Sequence, residues 1–125
     1  MITLKSAHEI ELMRRAGKIT AAARALAGEM VKPGVTTHEI DKAVYRFIKS
    51  QGAEPSFLNY SGYPASVCVS VNDEIIHGIP GPRVLKEGDI VTCHWSSRVR
   101  EYKTRDGREM AAQELNGWGV KKENV

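Results

Sequence analysis

His77 lies in "EIIHGI", Glu74 to Ile79, where an imidazole can donate a hydrogen bond whether neutral or charged. The plainer role for such a residue is a strand histidine whose ring nitrogens are satisfied by backbone. Cys93 and His94 are adjacent, and with Cys68 and His77 they offer the thiol and imidazole donors that zinc takes. Their spacing matches neither a CxxC nor an HxxxH pattern, so the sequence gives no metal site, and Cys93 reads as a buried or unpaired thiol. Arg98, Arg100, Arg105 and Arg108, with Trp95 and Tyr102, combine cations and rings as nucleic-acid surfaces do. Glu101, Asp106 and Glu109 interleave with them, which reads as a solvated or disordered segment with no specific nucleic-acid partner. Trp118, between two glycines, is either a partner anchor or an exposed end.

The elements that must position these groups begin with two helices. Ser6 and Glu9 have capping-box spacing, and Leu12, Ile19, Ala23 and Leu26 recur at helical intervals behind them, so a helix is expected from about Ala7 to Met30. Lys32-Pro33-Gly34 ends it, because Pro33 cannot continue the hydrogen bonding and Gly34 accepts a positive φ. Thr36 and Glu39 repeat the box, and Ile40, Val44, Phe47 and Ile48 form one apolar stripe, placing a second helix over about Thr37 to Gln51 before Gly52. The pair is an αα-hairpin that needs an apolar surface to cover.

That surface is expected from strands. "SVCVSV", Ser66 to Val71, alternates with period two, and "EIIHGI" reads as a second strand joined to it by a tight turn at Asn72 and Asp73. A third begins near Asp89. Helices followed by strands point to an α+β fold, with helices on one face of a mainly antiparallel sheet. From Cys93 the alternation fails, and residues 93–125 are expected to form a divergent, poorly packed tail, with one two-turn helix over Arg108 to Leu115.

Composition bounds the rest. A chain of 125 residues is enough for one small core of modest stability, and a net charge of +3 is too little by itself to argue for nucleic acid. Two distant cysteines fit a reduced, cytoplasmic chain. No long apolar run opens the sequence, so neither a signal peptide nor a membrane span is expected.

"GYPASVCVSVN", "HGIP" and "LKEGDIV", in that order between Gly62 and Val91, resemble the bacterial type I methionine aminopeptidases, and the likeness extends over Met1 to about Thr92. The resemblance implies a partial pita-bread fold. It also implies an enzyme that removes the initiator methionine from nascent proteins, in the cytoplasm and in some cases at the ribosome, using two divalent ions (Co, Mn, Fe or Zn). By the same likeness, His77 is the catalytic histidine that hydrogen-bonds substrate near the scissile bond. Phe57, Tyr60, Tyr63 and Cys68 match positions lining the methionine side-chain pocket, where a polarizable thioether suits aromatic and sulfur neighbours. Ordinary loop and strand packing would explain these four residues equally well.

The metal pattern departs from the family. An aspartate ligand is replaced by His94 and a second, eleven residues later, by Arg105, while a histidine and two glutamates belong to the other half of the fold. A pair of dications needs several carboxylates to bridge and neutralise it. The sequence therefore predicts no metal ligands of the family kind and no cofactor held by this chain, which reads as truncated and inactive alone. Two non-catalytic readings stand beside it: a peptide-binding module with Tyr60 and Tyr63 on its docking surface, and a homodimer in which a second copy covers the sheet edge that the other half would cover.

Overall fold

A computed structural model describes residues 4–95 in full and, as backbone, the strands at 97–103, 109–111 and 121–124. Helix α1 spans Ala7–Met30 and α2 spans Thr37–Ser50. Both start on the capping boxes that the sequence contains. Glu9 N–H donates to Ser6 Oγ at 3.1 Å and Ser6 N–H to Glu9 Oε1 at 3.0 Å, and the Thr36–Glu39 pair repeats the exchange at 3.1 and 2.9 Å. Gly34, at φ 93°, makes the turn between the helices. Its N–H donates to Leu85 O at 2.9 Å while Leu85 N–H donates to Val35 O at 2.8 Å, so the inter-helix turn is tied to the segment entering the sheet.

The strands are β1 (Ala53–Pro55), β2 (Cys68–Val71), β3 (Ile90–His94), β4 (Ser97–Lys103), β5 (Glu109–Ala111) and β6 (Lys121–Asn124). They form two three-stranded sheets, β1-β4-β5 and β2-β3-β6, and every pairing is antiparallel. The chain passes from one sheet to the other at Trp95, which is fully buried at that corner. Val69, Val71 and Val67 from β2 and its approach pack with Ile40, Val44 and Ile48 of α2, Ala23 and Ala27 of α1, and Leu85, Val91 and Trp95. Because every residue of β2 is buried, it reads as a continuous apolar run with one cysteine and one serine. The α+β expectation, an αα-hairpin on antiparallel sheet, is what the fold shows.

Two expectations fail. Glu74 to Ile79 is not a strand. The turn at Asn72 forms, with φ 55°, but β2 pairs instead with β3, in the register Cys68↔His94 through Val71↔Val91. Asn72 closes that longer connection: its N–H donates to Ile90 O at 2.8 Å and Ile90 N–H donates to its Oδ1 at 2.9 Å. His77, at φ 60°, then turns the intervening chain off any strand course, and Ile75 is left 92% exposed. The second failure is the helix over Arg108 to Leu115. Glu109–Ala111 is strand β5, paired by backbone with β4 in the register Arg98↔Ala111 and Val99↔Met110, so sheet pairing overrides local helix propensity there. The remainder of that segment lies outside the described residues, as do Arg105, Asp106 and Trp118. Strand β3 itself runs across residue 92 to His94.

Candidate functional site

Antiparallel register builds the site. Cys68 and His94 are directly opposite on β2 and β3, so both side chains leave the same face of the sheet. Cys93, one residue earlier, faces Val69 and leaves the other face. His77 reaches the Cys68–His94 face from the loop after Asn72. Its ring stacks on that of His94 with centroids 5.9 Å apart and planes 17° from parallel. Phe57 closes another side, edge-on to His94 at 4.9 Å and edge-on to Tyr63 at 6.3 Å. Tyr63 OH donates to Val67 O at 2.7 Å, which ties the aromatic wall to the start of β2.

The loop holding His77 is held in turn by the sheet. Val69 N–H donates to Gly78 O at 2.8 Å, and Gly78 N–H donates to Ser70 Oγ at 3.1 Å. A Cβ on Gly78 would overlap the Val69 carbonyl oxygen, so this approach is open only to glycine. His77 sits one residue before that contact, and the left-handed backbone at His77 aims its ring at His94.

Of the residues singled out in the sequence, Phe57, Tyr63, Cys68 and His77 converge. Tyr60 does not: it sits in the 3-10 turn Tyr60–Gly62 and is 73% exposed. Sequence reading did not foresee Asp41 of α2, whose buried Oδ1 accepts Ser66 N–H at 2.7 Å and Val67 N–H at 3.1 Å and fixes the entry to β2. The signal was there: Asp41 lies beside Ile40 on the side of α2 that carries Val44 and Ile48, where a lone carboxylate must find donors.

Burial sets the electrostatics. It pulls the His94 imidazole from its ordinary 6.5 down to about 4, and the neighbouring His77 adds to the effect. Burial raises Tyr63, and its hydrogen bond with Cys68 raises it further. Burial also raises the Cys68 thiol, against a lowering by the bond to Tyr63. The groups facing His94 are therefore neutral side chains of β2 and the aromatic wall, plus the ring of His77.

A pH dependence follows. Unfolded His94 takes up a proton near 6.5 and folded His94 resists until about 4, so the unfolded state binds more protons between those values. Stability is full above pH 6.5 and falls as pH drops toward 4, by about 3 kcal/mol in total. Urea unfolding in metal-free buffer at a series of pH values measures this, and His94→Gln is expected to flatten the slope. An equal slope in the variant would assign the effect to other groups.

Residues 11–114 match the model of metallopeptidase family M24, and the chain belongs to that family. Within it, the chain is similar to methionine aminopeptidases. The chain is 47% identical over 102 residues to methionine aminopeptidase 1 of Bacillus subtilis (strain 168), covering 82% of this chain and 41% of that protein. It is 44% identical over 117 residues to the methionine aminopeptidase of Clostridium acetobutylicum, covering 93% and 47%. The crystal structure of methionine aminopeptidase from Thermotoga maritima superimposes with a TM-score of 0.78 at 38% identity, over 80% of this chain and 41% of that one. The fold is thus part of the pita-bread fold, and the chain spans less than half the length of these relatives.

A metallopeptidase family implies divalent metal. Among the described residues, the one grouping of three or more metal-binding side chains is Cys68, His77 and His94, and it holds no carboxylate. A bridged pair of hard dications needs shared carboxylate oxygens, so this donor set does not fit the two-ion arrangement that the resemblance implies. Among the described residues no helix is long and apolar enough to cross a membrane.

Proposed function

We propose that this chain carries the substrate-side half of a methionyl aminopeptidase, the wall of the methionine pocket and its histidine, and that the 125-residue polypeptide does not hydrolyse peptides by itself. One observation carries the reading. Phe57, Tyr63, Cys68 and His77 gather around the end of the β2–β3 pair, but the group at the centre of that end is the imidazole of His94 instead of a carboxylate. The ligand class is a peptide beginning with methionine. The thioether would lie against Phe57, Tyr63 and the Cys68 sulfur, and the exposed imidazole of His77 would donate to the carbonyl of the first peptide bond. Peptides of this kind arise on nascent chains, and a cytoplasmic location goes with this reading.

The experiment is hydrolysis of a Met-Ala-Ser peptide by the purified polypeptide with added cobalt or manganese. Methionine release is expected to stay at the level of the buffer blank. Multiple turnovers that vanish in His77→Ala would overturn the claim of inactivity while keeping the assignment of the pocket.

A further inference from the structure

We propose that Cys68, His77 and His94 form a binding site for a single zinc-class ion, with one thiolate and two imidazoles as ligands and water in the fourth position. The inference starts from geometry. One ligand atom from each of the three residues can be chosen so that all lie within 4.8 Å of one another. In a tetrahedral zinc site with one sulfur and two nitrogen ligands, donor atoms are roughly 3.5 Å apart, so closure needs an inward movement of about 1 Å. His77 can supply it, because its side chain is exposed whereas Cys68 and His94 are buried.

The frame around the donors is rigid where rigidity counts. Cys68 and His94 are cross-strand neighbours at the end of the β2–β3 ladder, and both are buried. Phe57 packs edge-on against the His94 ring and restricts its rotation. The third ligand is held near them by the Gly78 seat on Val69 and Ser70. A site built on paired strands with one adjustable arm has both pre-organisation and a path of entry.

Donor chemistry selects the ion. Thiolate with two imidazoles favours zinc and its soft or borderline neighbours over magnesium, calcium or manganese, which want oxygen. Three protein ligands leave the fourth position of a tetrahedral ion to solvent, and the exposed side at His77 is where that water would stand. On binding, the Cys68 thiol gives its proton to the buffer, and both imidazoles ligate as neutral rings. This proposal does not rest on the aminopeptidase reading, although Cys68 and His77 also line the pocket of that reading: it concerns one ion held by nitrogen and sulfur.

Cobalt is the probe, because thiolate ligation gives a sulfur-to-metal charge-transfer band and tetrahedral geometry gives intense ligand-field bands. Titrating the reduced full chain with cobalt chloride is expected to saturate at one equivalent with both signatures, and zinc is expected to displace the cobalt. Cys68→Ser should abolish the charge-transfer band. His77→Asn should weaken cobalt binding by more than the tenfold to hundredfold that losing an outer-shell partner typically costs, roughly speaking. Asparagine tolerates the left-handed backbone at position 77, so this variant keeps the loop and separates loss of a ligand from misfolding. Cys93→Ala should leave both bands, since Cys93 is on the opposite face of β3. No cobalt binding, a band that depends on Cys93, a second equivalent of equal affinity, or an affinity unchanged in His77→Asn would each overturn the assignment.

Discussion

Gly78→Ala is expected to destabilise the fold by about 3 kcal/mol and to separate His77 from His94. The added methyl would overlap the carbonyl oxygen of Val69 and lie 2.9 Å from its carbon and 3.0 Å from Ser70 Cα. All three are backbone atoms of a fully buried strand, so nothing there can swing aside. Relief must come from the loop. Moving it breaks the Val69 N–H···O Gly78 bond and the Gly78 N–H···Oγ Ser70 bond, and leaves buried groups of β2 without partners. On a small domain a cost of that size lowers the melting temperature by on the order of 10 °C. Thermal unfolding by circular dichroism measures it, and the nuclear Overhauser contact between the two imidazoles reports the site. Gly81→Ala is the control: no atom lies within 4 Å of its added Cβ, and its effect is expected to stay within about 0.5 kcal/mol. If Gly78→Ala behaves like the control, the loop does not hold His77 as described.

That loop shows where sequence reasoning stopped. The helices were legible because their signals are local. Each capping box joins residues three apart, and each apolar stripe repeats within a few turns, so α1 runs from Ala7 to Met30 as read and α2 ends one residue early, with Gln51 as its cap. The segment from Glu74 to Ile79 carried an equally local signal, apolar residues after a turn, and that signal misled. Its isoleucines are exposed, and a single left-handed residue, His77, sets its course. Nothing within six residues announces that Gly78 must lie against a strand.

The donor cluster has the same cause. Spacing rules detect ligands that share one turn or one knuckle, and Cys68, His77 and His94 share neither. They meet because β2 pairs with β3 in one register and not the next. A slip of one residue would put Cys93 opposite Cys68 and turn His94 to the other face. Of the five residues that the resemblance singled out, the fold brings Phe57, Tyr63, Cys68 and His77 together, while Tyr60 stands in solvent.

Register depends on how β2 is entered, and Asp41 controls that entry. Asp41→Ala is expected to cost about 4 kcal/mol. The residue is 8% exposed, and its carboxylate accepts two backbone N–H groups, Ser66 at 2.7 Å and Val67 at 3.1 Å, both from residues that are themselves buried. Alanine removes the acceptor, so two amide groups lose their partner together. Hydrogen bonds to an ionised group are stronger than neutral ones, and orphaned buried donors carry their full desolvation cost. Asp41→Asn keeps an acceptor oxygen without the charge and should cost roughly half as much. The tie also spans the chain, joining α2 to the strand that presents Cys68, so its loss should loosen the Tyr63 bond to Val67 O and the cross-strand placement of Cys68 against His94. Urea denaturation of the three proteins gives the ordering wild type, Asn, Ala with a common dependence on urea. An Asp41→Ala variant within about 1 kcal/mol of the wild type would mean that water or another group satisfies those amides, and that the entry to β2 is set elsewhere.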